Sequence, residues 1–100
     1  MKIKDLPDME KPYEKLENYG AKVLSDAELL AVIIKSGTRN ATAVQVAQET
    51  LLLDKDKKGL SFLKDISIED LRKTKGLGRV KAIQIKAAIE LALRVSRHKK

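Results

Sequence analysis

Leu71-Arg72-Lys73-Thr74-Lys75-Gly76-Leu77-Gly78-Arg79-Val80-Lys81-Ala82-Ile83-Gln84-Ile85 is the stretch that decides how this chain folds. Apolar residues recur with helical spacing on both sides of Gly76 and Gly78, so two helices must reverse direction within a few residues. A bend that tight needs backbone conformations that glycine reaches without steric cost, and both glycines are expected to supply them. Leu77 between them is placed to plug the gap between the helices. Ala82, one turn into the second helix, is small enough for the first helix to pack close. The bend would leave main-chain amides of residues 76–80 open at a helix N-terminus, where unpaired N–H groups and the helix dipole favour an anion. Lys73, Lys75, Arg79 and Lys81 surround it with positive charge. The bland alternative is a helical turn with solvated lysines and no ligand.

Outward from this bend, the pattern remains helical. Downstream, a long helix is expected from Arg79 to at least Val95, with Ala82, Ile85, Ile89 and Leu93 as its inner stripe, widened by Ile83 and Leu91. Upstream, Ser67-Ile68-Glu69-Asp70 reads as a helix start, with Ile66 and Leu71 spaced as a hydrophobic staple and the helix ending near Thr74. Ser25-Asp26-Ala27-Glu28 fits a capping box with Leu24 and Leu29 as its staple, and a core helix runs from it to about Lys35, stopped by Ser36-Gly37. Thr42 and Gln45 repeat the capping pattern, with Asn40 a rival cap. Val44, Ala47, Leu51 and Leu52 then predict a helix ending near Leu53. Pro12 suits the first turn of a short helix over 13–18 closed by Gly20, with Leu16 and Tyr19 facing inwards. Residues 54–59 form a charged loop, followed by one short turn that places Leu60 and Phe62 or Leu63 inwards. No segment alternates as a strand would. The expected fold is all-α, a compact bundle of about five short helices, with an extended arm over 1–12, a helical domain over 13–95 and a basic tail over 96–100.

Composition removes most chemistries. The 100 residues contain no cysteine, which excludes a disulfide framework, a thiolate metal site and a cysteine nucleophile. A single histidine, His98, leaves no basis for a histidine metal centre or a Ser-His-Asp triad, so no metal, cofactor or catalytic residue is expected. Glu69-Asp70 and Asp54/Asp56 are better explained by capping and solvation than by carboxylate catalysis. Three aromatics, Tyr13, Tyr19 and Phe62, are too few for a base-stacking platform. Twenty-one basic against fourteen acidic residues leave a net charge of +7, which points to an anionic partner. The longest strongly apolar run, residues 29–34, is far short of the roughly 20 residues that span a bilayer, and the opening residues 1–7 lack the long apolar stretch of a signal peptide. A cytoplasmic monomer without membrane contact is the expectation.

Leu71, Gly76, Leu77, Gly78, Ala82 and Ile85 together resemble the helix-hairpin-helix motif of DNA-binding proteins, with Thr74 a weak fit at its second apolar place. The resemblance implies a SAM/RuvA-C2-like fold and sequence-independent binding of a phosphodiester backbone, duplex or branched. Lys75, Gly76, Leu77, Gly78, Arg79, Val80 and Lys81 would form the site, with Lys73 and Arg39 as secondary contacts. Base-excision glycosylases share this hairpin, but Val80 stands where many of them carry a catalytic lysine, so that activity is rejected. Arg39 lies in Ser36-Gly37-Thr38-Arg39-Asn40, which joins two helices and reads either as a degenerate first hairpin or as an ordinary turn.

Further segments narrow the resemblance. Leu6-Pro7, Lys11-Pro12-Tyr13-Glu14-Lys15-Leu16, Tyr19-Gly20-Ala21, Leu24-Ser25-Asp26-Ala27-Glu28-Leu29-Leu30-Ala31 and Ser36-Gly37-Thr38 look together like the N-terminal region of the RadC family, also called UPF0758 or JAB-domain proteins. Family members continue into a JAB (MPN-like) domain with a His-x-His…Asp zinc motif, which this chain does not contain. The resemblance therefore implies a non-enzymatic, DNA-repair-associated module preceding a metallopeptidase-like domain. The alternative it leaves open is a protein-interaction or scaffolding module that positions or regulates that domain.

Overall fold

The computed structural model describes residues 11–35, 37–38 and 41–98. The expectations placed on the arm before Lys11, on Ser36, Arg39 and Asn40, and on Lys99 and Lys100 lie outside the described residues. The described residues form six α-helices in order: α1 (Pro12–Tyr19), α2 (Asp26–Ile34), α3 (Ala43–Leu51), α4 (Phe62–Asp65), α5 (Ile68–Leu71) and α6 (Arg79–Arg97). Single 3-10 turns at Ala21–Val23 and Gly59–Ser61 precede α2 and α4. There is no strand among the described residues, and the chain is an all-α bundle.

Local chemistry starts most of these helices. Ser25 Oγ accepts from the Glu28 amide at 3.1 Å while Glu28 Oε1 accepts from the Ser25 amide at 2.9 Å, the reciprocal box that opens α2. Thr42 and Gln45 do the same for α3 at 3.1 and 2.8 Å, so Thr42 is its cap. Ser67 Oγ accepts from the Asp70 amide at 3.0 Å to open α5. Pro12 starts α1 and Gly20 closes it, as its position implied.

Several boundaries and orientations differ from the sequence reading. α2 stops at Lys35, whose φ of 78° breaks the helix one residue before the expected Ser36-Gly37. α5 is a single turn ending at Leu71, with the chain then folding through successive turns to Gly76. Tyr19, Leu52 and Leu60 face solvent rather than the interior. On α3 the inner face is Val46, Ala47 and Thr50. Thr50 is accepted there because its hydroxyl donates to the Val46 carbonyl one turn back, at 2.9 Å.

One apolar core joins the helices. Leu30, Ala31 and Ile34 of α2, Val46 and Ala47 of α3, Phe62 and Leu63 of α4, Leu71 of α5, Leu77, and Ala82 and Ile85 of α6 form a single cluster. α2 packs on α3 and α6, and α4 and α5 pack on the first half of α6. α1 lies on α2, where Lys15 Nζ donates to Glu28 Oε2 at 2.7 Å with both side chains about four-fifths buried. That hydrogen bond, with those of the cap, holds the Glu28 carboxyl below its ordinary pKa. The stabilisation is therefore present at neutral pH and is lost as acidification protonates Glu28. Lys86 Nζ donates to the carbonyls of Leu63 and Lys64 at 2.9 and 3.0 Å, tying α6 to the end of α4 with a cation on its negative pole.

Candidate functional site

The 72–78 bend is built from hydrogen bonds that close it tightly. The Thr74 amide donates to Leu71 O at 3.1 Å and the Leu77 amide donates to Thr74 O at 3.0 Å. Gly76 takes a φ of 93°, a conformation other residues avoid. A Cβ on Gly76 would stand 2.6 Å from the Thr38 γ-methyl and 3.2 Å from a Val46 methyl, so the bend is pressed against the α2–α3 connection and α3. That connection is itself tight: the Thr38 amide donates to Ala41 O at 2.8 Å, and a Cβ on Gly37 would run into the Ala41 carbonyl. Leu77 is 2% exposed and fills the space beneath the bend, with Leu71, Ala82 and Ile85 around it in the core.

Gly78 behaves differently from the expectation. Its φ of −83° is available to any residue, and a Cβ there would meet nothing within 4 Å. The bend does not need glycine at this position. What its missing side chain leaves is open approach to the start of α6. Gly78 is the N-cap of α6 and offers no side-chain cap, in contrast to Ser25, Thr42 and Ser67 on α2, α3 and α5, although α1 and α4 lack one as well. The α6 ladder begins with the Ala82 amide on Gly78 O at 3.0 Å, so the amides of Gly78, Arg79 and Val80 have no acceptor among the described residues. All three residues are exposed.

The charges around this N-terminus divide into three kinds. Lys75 and Arg79 are exposed and make no ion pair among the described residues. Lys81 is half-buried and already has an interaction of its own. Lys73 pairs with Asp70 at 3.0 Å, an exposed contact that lowers the Asp70 pKa and spends part of the lysine's charge. No acidic residue occurs from Leu71 to Ile89, so the field at the bend is positive. Other groups singled out in the sequence have local roles. Asp54 accepts from the amides of Lys58 and Gly59 at 2.9 and 2.8 Å and folds the charged loop. His98 caps the end of α6 through its amide. No cluster of three or more His, Asp or Glu able to hold a metal occurs among the described residues.

Sequence spacing did not foresee that Thr74 would be buried. Its hydroxyl is sealed in the bend with no hydrogen-bond partner among the described residues. An unpaired buried hydroxyl costs on the order of 1–2 kcal/mol, so Thr74→Val should raise the thermal midpoint by roughly 4–16 °C. Calorimetry checks this; a lower midpoint would mean the hydroxyl is satisfied in solution.

The UPF0758 N-terminal family model matches residues 3–83, which takes in every helix up to and including the start of α6. The chain belongs to the UPF0758 family. Among curated UPF0758 proteins, one from Alkaliphilus oremlandii is 47% identical over 96 residues, covering 96% of this chain and 40% of the relative. One from Clostridium botulinum (strain Hall) is 48% identical over 98 residues, covering 98% of this chain and 42% of the relative. This UPF0758 chain thus spans about two-fifths of the length of these relatives. No solved structure matches it. No helix among its described residues is long and apolar enough to cross a membrane.

Proposed function

We propose that residues 71–85 act as a helix-hairpin-helix element that binds the phosphodiester backbone of DNA, duplex or branched, without reading base sequence. The observation that carries this reading is the start of α6 without a side-chain cap, where the amides of the exposed residues Gly78, Arg79 and Val80 have no acceptor and the cations Lys75 and Arg79 no ion pair among the described residues. A phosphate oxygen docked there receives N–H donors and the positive end of a five-turn helix dipole at once. Lys81 and Lys73 add charge at the margin, and Gly76 and Leu77 shape the bend from behind. Amides and lysines on a phosphate carry no base information, so affinity should not depend on sequence. On this reading the chain is a cytoplasmic, monomeric, non-catalytic part of a bacterial DNA-repair-associated protein. Its longer relatives would carry the metallopeptidase-like JAB domain.

A salt titration tests it. With about three phosphate contacts, log K should fall against log salt with a slope near −2.7 for duplex DNA, about fortyfold between 50 and 200 mM salt. Fluorescence anisotropy on duplex, branched and single-stranded oligonucleotides measures this slope. Absence of binding at low salt, or an affinity indifferent to salt, would refute the reading.

A further inference from the structure

α6 is apolar on two opposite faces. Its inner face, Ala82, Ile85 and Ile89, packs on α4, α5 and α2. Its outer face carries Ile83, Ala87, Leu91 and Val95, spaced four residues apart so that they form one continuous row. All four are exposed, Leu91 by 65% and Val95 by 71%. The sequence reading put Ile83 and Leu91 in the core stripe; the structure turns them outwards. Beyond Ile85 no residue of α6 is fully buried. A helix apolar on both sides is ordinarily enclosed on both sides, and isolated exposed leucines do not build a row of this length.

Two observations say what encloses it. The family's N-terminal model ends at residue 83, inside α6, so Ala87, Leu91 and Val95 stand beyond the unit that the model defines. The relatives still match through nearly all of α6, and about three-fifths of their length lies outside the matched stretch. A second copy of this chain is the poorer occupant. The row covers about 18 Å of a single helix about 10 Å across, roughly 200 Å², well short of the roughly 800 Å² per partner in a stable dimer. A net charge of +7 also opposes self-association. A segment tethered to the same polypeptide docks at an effective concentration of about millimolar and can be held by a small apolar patch.

We propose that the Ile83–Ala87–Leu91–Val95 face of α6 is the seat of an apolar surface on the polypeptide that follows this N-terminal region in the longer family members. α6 then serves as a shared strut, with its inner face in the core described above and its outer face in the interface. The phosphate site lies at the N-terminus of α6, before Ile83, and shares no residue with this row, so either proposal can fail without the other.

Hydrogen exchange tests it on the intact Clostridium botulinum relative and on the same protein cut back to the stretch aligned with this chain. Peptides aligned with 87–97 should exchange about tenfold or more slowly in the intact protein, while those aligned with 62–71 exchange alike in both. Equal exchange of the 87–97 peptides in the two forms would overturn the proposal. Sedimentation of the 100-residue chain supplies a second arm. A monomer supports the tethered occupant; a dimer that Leu91→Glu dissociates would assign the row to a second copy and overturn it.

Discussion

Gly76→Ala is expected to destabilise the fold by about 3 kcal/mol, whereas Gly78→Ala, two residues on, should cost no more than about 1 kcal/mol, the loss of a glycine N-cap. The two glycines look equivalent in sequence and are not equivalent in structure. At Gly76 the φ of 93° strains any residue with a Cβ, and that Cβ would also press into Thr38 and the buried Val46. Thr38 can turn its methyl aside, but Val46 is enclosed in the core and can give only by disturbing its neighbours. At Gly78 the backbone is ordinary and the space is empty. In calorimetry the first variant should melt roughly 12–24 °C below the wild type and the second no more than about 8 °C below it. Equal shifts in the two variants would contradict this division of roles.

Leu77→Ala is expected to cost a further large amount, about 3 kcal/mol, although the residue lies in a turn of a strongly basic surface segment. Its side chain reaches under the bend into the cluster of Leu71, Ala82 and Ile85, and truncation leaves a void that the surrounding helices cannot close without breaking the turn bonds from Thr74. Leu71→Ala should cost a similar amount, and the double variant less than the sum because the two share one cavity. Leu91→Ala, exposed on the far half of α6, should cost less than about 0.5 kcal/mol in this chain. Urea unfolding with an unchanged m value reads these differences directly. A cost below about 1 kcal/mol for Leu77→Ala would show that Leu77 does not fasten the bend.

Much of this architecture was legible because it is local. The capping boxes at Ser25–Glu28 and Thr42–Gln45 are written within four residues and form as written. Pro12, Gly20 and the apolar positions Ala82, Ile85 and Leu71 likewise follow from spacing alone. The misreadings fall where tertiary contacts decide. Spacing could not tell that Gly76 abuts Thr38 and Val46, because those contacts come from distant parts of the chain. Nor could it show that Gly78 is free of neighbours. Ile83 and Leu91 were assigned inwards because an apolar residue on a helix is normally buried. Here α6 outruns the core, and among the described residues nothing covers its outer row from Ile83 to Val95. Lys73 was grouped with Lys75 and Arg79 by proximity in sequence, but one turn of α5 brings Asp70 against it.

Duplex DNA binding by Gly78→Val, set beside the wild type, tests the central claim most directly. The Gly78 backbone is open to valine and a Cβ there meets nothing within 4 Å, so the melting temperature should fall by no more than about 8 °C. Its branched side chain would nonetheless stand over the α6 amides and keep a phosphate away from them. The account predicts that affinity falls about tenfold or more, and that Lys99→Ala in the basic tail weakens it less. An unchanged affinity in a folded Gly78→Val protein, or equal losses in the two variants, would mean that the main-chain donors at the start of α6 do not hold the nucleic-acid backbone.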